Sequence, residues 1–225
     1  MTTIEQIHTD ILREAARNGN IETIYNMFIN YGARYDFVAL QAAYAGQREL
    51  LDKMLVLGST NYIGIACYAA RGGHIDIVKR MIEEYNVSDY DSIAQSAIMG
   101  GHMEIVNEIM NKGKVNMNRL AEIAAYNGYL DIVKDFIENK GVDNFSDIAL
   151  NACENKQNDV IYYLHKRGFN KLFIVGINAA RNGNRELIEY LIDNNLVNKQ
   201  MIITQTLNNK HEELHKYLQD KYLSK

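Results

Sequence analysis

Two histidines near the C-terminus have the spacing that is most suggestive of chemistry in this chain. His211 and His215 flank Glu212 and Glu213 in the string HEELH. Residues four apart share one face of a helix, so both imidazoles can bind one zinc ion while Glu212 acts as a base. A zinc-dependent hydrolase is therefore one interpretation of the sequence. It requires a third protein residue that binds the same zinc ion.

The rest of the chain gives this interpretation little support. A catalytic zinc site requires a third protein ligand and an open coordination position, and Asp220 is the sole candidate that follows His215. The sequence contains neither a phosphate-binding glycine loop nor a G-x-S-x-G elbow, and Cys67 and Cys153 lie in no Cys/His motif. We therefore expect no catalytic site, no bound metal and no cofactor.

The element that contains HEELH is the last copy of a repeat that extends over the whole chain. Eight segments superimpose without a gap at a period of 27 or 28 residues. Their turn position holds Gly19, Gly46, Gly73, Gly101, Gly128, Lys156, Gly183 and Lys210. His211 then occupies the position just after the turn, which His74 and His102 hold in other copies. The repeat explains the histidine string without a metal, with His215 as a polar substitution in a terminal copy.

Three features recur in each copy and predict a helix, a tight turn and a second helix. A carboxylate lies three residues after every turn, where it faces the positive end of a new helix dipole. Apolar residues follow at helical spacing, as in Ile77, Val78 and Met81. A small residue lies four positions before nearly every turn and allows two helices to approach closely: Ala15, Ala42, Ala69, Ala97, Ala124, Ala152 and Ala179, then Thr206. Because neither helix can bury its apolar side alone, stability must come from neighbouring copies.

These features set the predicted boundaries of the repeats. We predict an N-terminal helix extension or cap at 1–10, then repeats at 11–35, 36–62, 63–89, 90–117, 118–144, 145–172 and 173–199, and a last repeat with a C-terminal cap at 200–225. Thr3 and Gln6 fit a helix-start capping box. Ile4, Ile7, Ile11 and Leu12 extend the first helix along one face, and we expect them to close the front of the stack.

The composition excludes several classes of function. The chain of 225 residues has a net charge of −4 and a pI near 5.9, so it lacks the positive charge that usually drives nucleic-acid binding. It has no signal-peptide pattern and no apolar run long enough to span a bilayer. We expect a cytoplasmic monomer that binds neither nucleic acid nor membrane. Proline and tryptophan are both missing.

The segments AARNGN, AARGGHIDIVKRMI and AAYNGYLDIVKDFI resemble the helix-turn-helix part of ankyrin repeats. The resemblance covers about residues 11 to 222. Each repeat is five or six residues shorter than the family's usual 33 and lacks its T-P-L-H start. It implies an all-α, ankyrin-like solenoid whose β-hairpin fingers are reduced or missing. Short, proline-free arrays of this kind are similar to those encoded by giant DNA viruses of amoebae.

The resemblance implies a non-enzymatic scaffold for protein–protein interaction, with a host protein as the partner if the chain is viral. Positions two and five before the turn are expected to point to the inner, first-helix face, and several hold the aromatic, apolar and arginine residues that are common at binding hot spots. The predicted protein-binding residues are Arg17, Tyr44, Tyr68, Arg71, Met99, Ile123, Tyr126 and Arg181. The main alternative is a structural or decoy array without a single target. The zinc hydrolase is the more remote one.

Overall fold

The computed structural model describes residues 4–32 and 34–224 of the protein. Thr3, and with it the predicted capping box, lies outside these residues. The described chain forms sixteen helices: α1 (Ile4–Arg17), α2 (Ile21–Tyr31), α3 (Tyr35–Tyr44), α4 (Arg48–Val56), α5 (Tyr62–Gly72), α6 (Ile75–Tyr85), α7 (Tyr90–Gly100), α8 (Met103–Lys112), α9 (Met117–Tyr126), α10 (Leu130–Asn139), α11 (Phe145–Glu154), α12 (Asn158–Lys166), α13 (Leu172–Arg181), α14 (Arg185–Asp193), α15 (Lys199–Asn208) and α16 (Glu212–Tyr222).

The chain divides into two compact units, which we call unit 1 (Met1–Asn116) and unit 2 (Met117–Lys225). Within unit 1 each first helix packs against its own second helix and against the first helix of the next repeat, as α5 does between α3 and α7. Within unit 2 the same arrangement joins α9, α11, α13 and α15. Short loops connect the repeats, and the described residues contain no strand where ankyrins place their hairpins. The predicted all-α, ankyrin-like fold without fingers is confirmed.

The core consists of the columns that the repeat singles out. The small residues four before the turn are all buried, at 0–5% exposure from Ala15 to Thr206. The second helices contribute large apolar side chains, and Phe136, Met81 and Leu164 are fully buried there. Small side chains on first helices let the backbones approach closely, so the larger residues of the second helices fill the remaining space. Neither helix of a pair buries its apolar face alone.

A left-handed residue stops each first helix. In six repeats it is glycine, as at Gly73 with a φ of 85°. Lys156 and Lys210 adopt the same backbone, with φ angles of 58° and 64°. Since the left-handed region is unfavourable for residues with a Cβ, these two lysines show that packing of the flanking helices imposes the turn even without glycine.

The loops between repeats are held by side chains of the first helices. Asp36 of α3 accepts a hydrogen bond from Ser59 Oγ at 2.8 Å and another from Thr60 N at 3.2 Å. The bond from Ser59, which is only 1% exposed, lowers the pKa of Asp36 below its usual value. One carboxylate thus organises the loop that leads into α5, a role that a β-hairpin finger would otherwise fill.

The N-terminal helix closes the stack only in part. Leu12 is buried, but Ile7 and Ile11 are 47% and 42% exposed. The expectation that these isoleucines cover the front of the array is therefore wrong. About half of each of these side chains stays accessible among the described residues.

Candidate functional site

The predicted site residues lie mostly at the C-terminal ends of first helices. Arg17, Arg71 and Arg181 are exposed, Tyr44 is half-buried, and Met99 and Tyr126 are 43% and 40% exposed. These six residues occupy the position two before the turn. Because a helix ends immediately after this position, its side chains project beside the turn instead of into the inter-helix core.

The position five before the turn divides between surface and core. Tyr68 of α5 is 38% exposed, whereas Ile123 of α9 is only 5% exposed. The prediction that Ile123 belongs to the exposed surface is wrong. An aliphatic residue at this position is drawn into the packed interior, while the polar hydroxyl of a tyrosine favours the surface.

In unit 1, the backbone of the site residues is fixed by the next repeat. Gln47 Nε2 donates a hydrogen bond to Arg17 O at 3.0 Å, and His74 Nε2 lies 3.1 Å from Tyr44 O. A Cβ added to Gly72 would clash with the same Tyr44 carbonyl. The carbonyls at this position are thus hydrogen-bond acceptors for the neighbouring turn, which orients the helix ends while the side chains stay available.

Unit 2 contains the same kind of contact from two repeat positions. His211, just after its turn, has its Nε2 2.9 Å from Arg181 O, whereas Tyr126 O accepts at 2.9 Å from Nδ2 of Asn155, which lies just before its turn. The carbonyl two before a turn thus accepts a hydrogen bond from either side of the neighbouring turn. Sequence reasoning missed this role, although the recurrence of side chains with an N–H donor after the turn was a usable signal.

One polar residue that the sequence did not suggest orients a site residue. Gln41 of α3 is 4% exposed, and its Oε1 accepts a hydrogen bond from Arg17 Nε at 3.2 Å. The Arg17 guanidinium also lies 4.8 Å from the centroid of the Tyr44 ring, within cation–π range. The side chains of α1 and α3 are therefore ordered with respect to each other across the first repeat boundary.

The C-terminal halves of α3, α5 and α7 carry positive charge only, whereas α1 also carries the exposed Glu14. The last two turns of α3, α5 and α7 (38–44, 65–72 and 93–100) contain no Asp or Glu, and Arg71 is their one charged residue. Arg71 forms no ion pair with any described residue. Tyr44, Tyr68, Arg71 and Met99, which we call the unit-1 patch, lie on helices that pack side by side. Together they present apolar and aromatic area around an unpaired guanidinium.

The HEELH histidines contact different carbonyl groups of the protein. His211 Nε2 faces Arg181 O, as described above, and His215 Nδ1 lies 2.8 Å from Ile203 O and 3.3 Å from Thr206 Oγ1. His211 therefore acts as a repeat residue that binds the preceding turn, and His215 binds within its own repeat. One ring nitrogen of each histidine is thus engaged, that of His211 with α13 and that of His215 with α15.

Other nucleophiles and metal ligands do not cluster. Across residues 4–32 and 34–224, no group of three or more His, Cys, Asp or Glu residues is placed to hold a metal ion. Cys153 is buried, and burial raises its pKa to about 12, so its thiol is a poor nucleophile at neutral pH.

None of the helices in the described parts of the chain is both long and apolar enough to cross a bilayer.

A comparison with protein families supports the repeat assignment for the middle of the chain. Residues 63–147 match the family model described as "Ankyrin repeats (3 copies)". Ankyrin repeats mediate protein–protein interactions, and proteins that contain them are generally non-enzymatic. A comparison with curated proteins finds no match. The similarity to viral arrays thus has no relative that supports it and rests on the sequence pattern alone.

Proposed function

We propose that this protein is a scaffold that binds another protein through the first-helix face of its repeats, with the unit-1 patch as the main contact. The observation that carries this proposal is that Tyr68, Arg71 and Met99 are exposed beside the half-buried Tyr44 on three adjacent helices. Tyrosine and arginine are enriched at binding hot spots, and exposed apolar groups of this kind are uncommon on idle surfaces.

The charge of the patch indicates what the partner presents. Arg71 is an unpaired cation, and the last two turns of α3, α5 and α7 around it contain no carboxylate, so a partner with an Asp or Glu side chain among apolar residues complements it. Arg guanidinium groups bind carboxylates with two parallel hydrogen bonds, which adds orientation to affinity. In unit 2 the same repeat position presents Tyr126 and Arg181, for which we propose the same kind of role. If the chain is viral, a host protein is the first candidate partner.

The test compares two double variants as bait in affinity purification from cells of the native source. Tyr68→Ala/Arg71→Ala removes the centre of the patch, and Tyr25→Ala/Lys53→Ala removes a tyrosine and a cation that are exposed on second helices of the same unit. A hot-spot truncation costs about 2 kcal/mol or more, which is about 30-fold in Kd. We expect the first variant to lose a saturable partner and the second to keep it, with nearly unchanged melting temperatures for both.

Other results would contradict the proposal. Equal partner recovery by both variants would exclude the unit-1 patch as the binding surface. A wild-type bait without any saturable partner would favour the structural or decoy array instead. Tyr126→Ala, assayed in the same way, measures how much unit 2 contributes to partner binding.

A further inference from the structure

The first repeat leaves open a surface that is closed in all other repeats. Eight residues before the turn, the side chains are 0–1% exposed in the second to eighth repeats: Val38, Ile65, Ile93, Leu120, Ile148, Val175 and Ile202. In the first repeat this position is Ile11, which is 42% exposed. Ile7, one turn earlier on α1, is 47% exposed on the same helix. Among the described residues, α1 therefore presents an apolar side at the position that the other repeats bury.

The last repeat leaves open the opposite surface. Three residues before the turn, the side chains of the first seven repeats are 0% exposed: Ala16, Ala43, Ala70, Ile98, Ala125, Cys153 and Ala180. In the last repeat this position is Leu207, which is 48% exposed. A leucine replaces the usual small residue here, so the C-terminal end is more apolar at this position than most of the inner repeats.

These two positions meet each other inside the array. Cys153 Sγ, three residues before its turn, lies 3.6 Å from the carbonyl oxygen of Val175, eight residues before the next turn. Val175 and Ile202 hold the same position, and a Cβ added to Gly176 would lie 2.9 Å from Ile202 Cδ1. The side of one repeat that carries Leu207 is thus the side that receives the Ile11 position of a following repeat.

We propose that the protein associates head to tail, with α15 of one copy packed against α1 of a second copy. The occupant of each open end is the other end of the same chain, because each end is one half of the interface that the inner repeats already use. This inference replaces the monomer that was expected from the sequence. It does not depend on the proposed function.

Backbone contacts and charge agree with this arrangement. Asn208 O holds the acceptor position that Arg17 O and Tyr44 O hold in inner repeats, and Asn20 holds the position of the donor Gln47. The Oδ1 atom of Asn20 caps α2 by accepting from Thr23 N at 3.1 Å, which leaves its Nδ2 group as a donor. The two helices that would meet also differ in charge: α1 has three carboxylates against two arginines, and α15 has one lysine and no carboxylate.

A head-to-tail contact has a recognisable consequence for assembly. Every linear head-to-tail assembly keeps one free N-terminal end and one free C-terminal end. Association therefore continues beyond a dimer unless the rotation between copies closes a ring. A dimer that joins two like ends would instead stop at two copies. The stoichiometry therefore distinguishes the two geometries.

The test measures the weight-average mass by sedimentation equilibrium at concentrations from about 10 μM to about 1 mM, where weak contacts become occupied. For the wild-type chain, the mass should rise above twice the monomer mass of 25.7 kDa. Ile11→Glu and Leu207→Glu should each reduce association by at least about tenfold, because each places a charge at a closed apolar contact. Val56→Glu is the matched control: Val56 is 88% exposed on α4, away from both ends, and this variant should associate like the wild type.

Mixing the two end variants gives the most specific result. Ile11→Glu retains a functional C-terminal end, and Leu207→Glu retains a functional N-terminal end, so the mixture should form a one-to-one dimer that neither variant forms alone. If circular dichroism shows that a glutamate variant is unfolded, Ile11→Ala or Leu207→Ala replaces it in the experiment. We expect the alanine variants to lose less association than the glutamate variants. A monomeric wild-type chain over the whole range would overturn the proposal. So would association that survives in either glutamate variant alone, or that is lost equally in Val56→Glu.

Discussion

Neighbouring second helices are joined by charged side chains in unit 1 and largely by tyrosine hydroxyls in unit 2. In unit 1, Arg48 pairs with Asp76 at 2.6 Å, and Arg80 pairs with Asp52. In unit 2, Tyr163 donates to Glu138 at 2.9 Å. Arg80 and Tyr163 hold the same repeat position, seven after the turn. The buried columns fix the spacing between helices, so any side chain that bridges this spacing can occupy the surface position.

The two kinds of bridge should respond differently to solution conditions. Exposed ion pairs contribute about 0.2–1 kcal/mol each and are screened by salt. A tyrosine donor is less sensitive to salt but depends on keeping its proton. Burial, followed by the neighbouring Glu186, raises the pKa of Tyr162 to about 12, and burial and the hydrogen bond to Glu138 raise the pKa of Tyr163. Unit 2 should therefore be more sensitive to alkaline pH, and unit 1 more sensitive to ionic strength.

The largest expected effect tests what the two units share. Ala69 and Ala152 hold the same small-residue position in unit 1 and unit 2, and both are 0% exposed. Ala69→Leu and Ala152→Leu should each lower the free energy of unfolding by about 1–3 kcal/mol, because the added side chain overpacks a close helix contact. Urea denaturation measures the loss. Lys53→Leu, at an exposed position on α4, is the control and should change stability little. A neutral result in one unit alone would show that the cores differ.

The intermediate effect tests the tyrosine bridges through pH. The hydroxyl of Tyr162 donates to Glu186 of the next second helix at 3.3 Å. Its folded pKa is about 12 against an ordinary value of 10.0, so the folded state holds the proton more tightly than the unfolded state. The stabilisation is complete below pH 10 and is lost as the pH rises towards 12. Tyr162→Phe should cost about 0.5–1.5 kcal/mol at neutral pH and should remove part of the alkaline loss. Amide hydrogen exchange in peptides of unit 2, compared with unit 1, measures both changes. An identical alkaline response in the variant would contradict the assignment.

The smallest effect tests the ion pairs of unit 1. Arg80 bonds to Asp52 of the preceding repeat and, at 3.0 Å, to Glu84 of its own helix. Arg80→Met keeps most of the aliphatic stem and should cost about 0.2–1 kcal/mol at low salt. At about 1 M salt, where the Debye length is about 3 Å, the difference from the wild type should nearly vanish. Local exchange rates in α4 and α6 provide the readout. A loss that is independent of salt would indicate packing of the stem instead of charge.

Much of the fold was predictable because the same sequence pattern recurs in every repeat. The left-handed turns, the buried small residues and the helix pairs all follow from columns that are visible in the sequence. Exposure at the ends of the array was less predictable. Ile11 and Val38 have similar side chains at the same position, yet Ile11 is 42% exposed and Val38 is 0% exposed. The difference arises because the preceding repeat packs against the side of α3 that holds Val38, and no local pattern records such a contact.

The candidate site was predictable to a similar degree. Tyr68, Arg71 and Tyr126 lie at the surface as their columns predict, whereas Ile123, at the same position as Tyr68, lies in the core. A column predicts the direction of a side chain, but the neighbouring repeat decides how much of that side chain stays accessible. The role of Gln41 beside Arg17 also depends on a contact between helices that are far apart in the chain.

The sequence by itself determined the repeat, the all-helical architecture and the positions that pack, because the hydrophobic and turn residues recur at a fixed period. Only the tertiary structure decided what the HEELH histidines contact. His211 reaches Arg181 O, thirty residues away in the chain, because stacking places each turn directly beside the previous one. The residue types suggested a metal site, but the partner of an imidazole is set by which atoms the fold brings within hydrogen-bonding distance. That information lies in the packing between repeats.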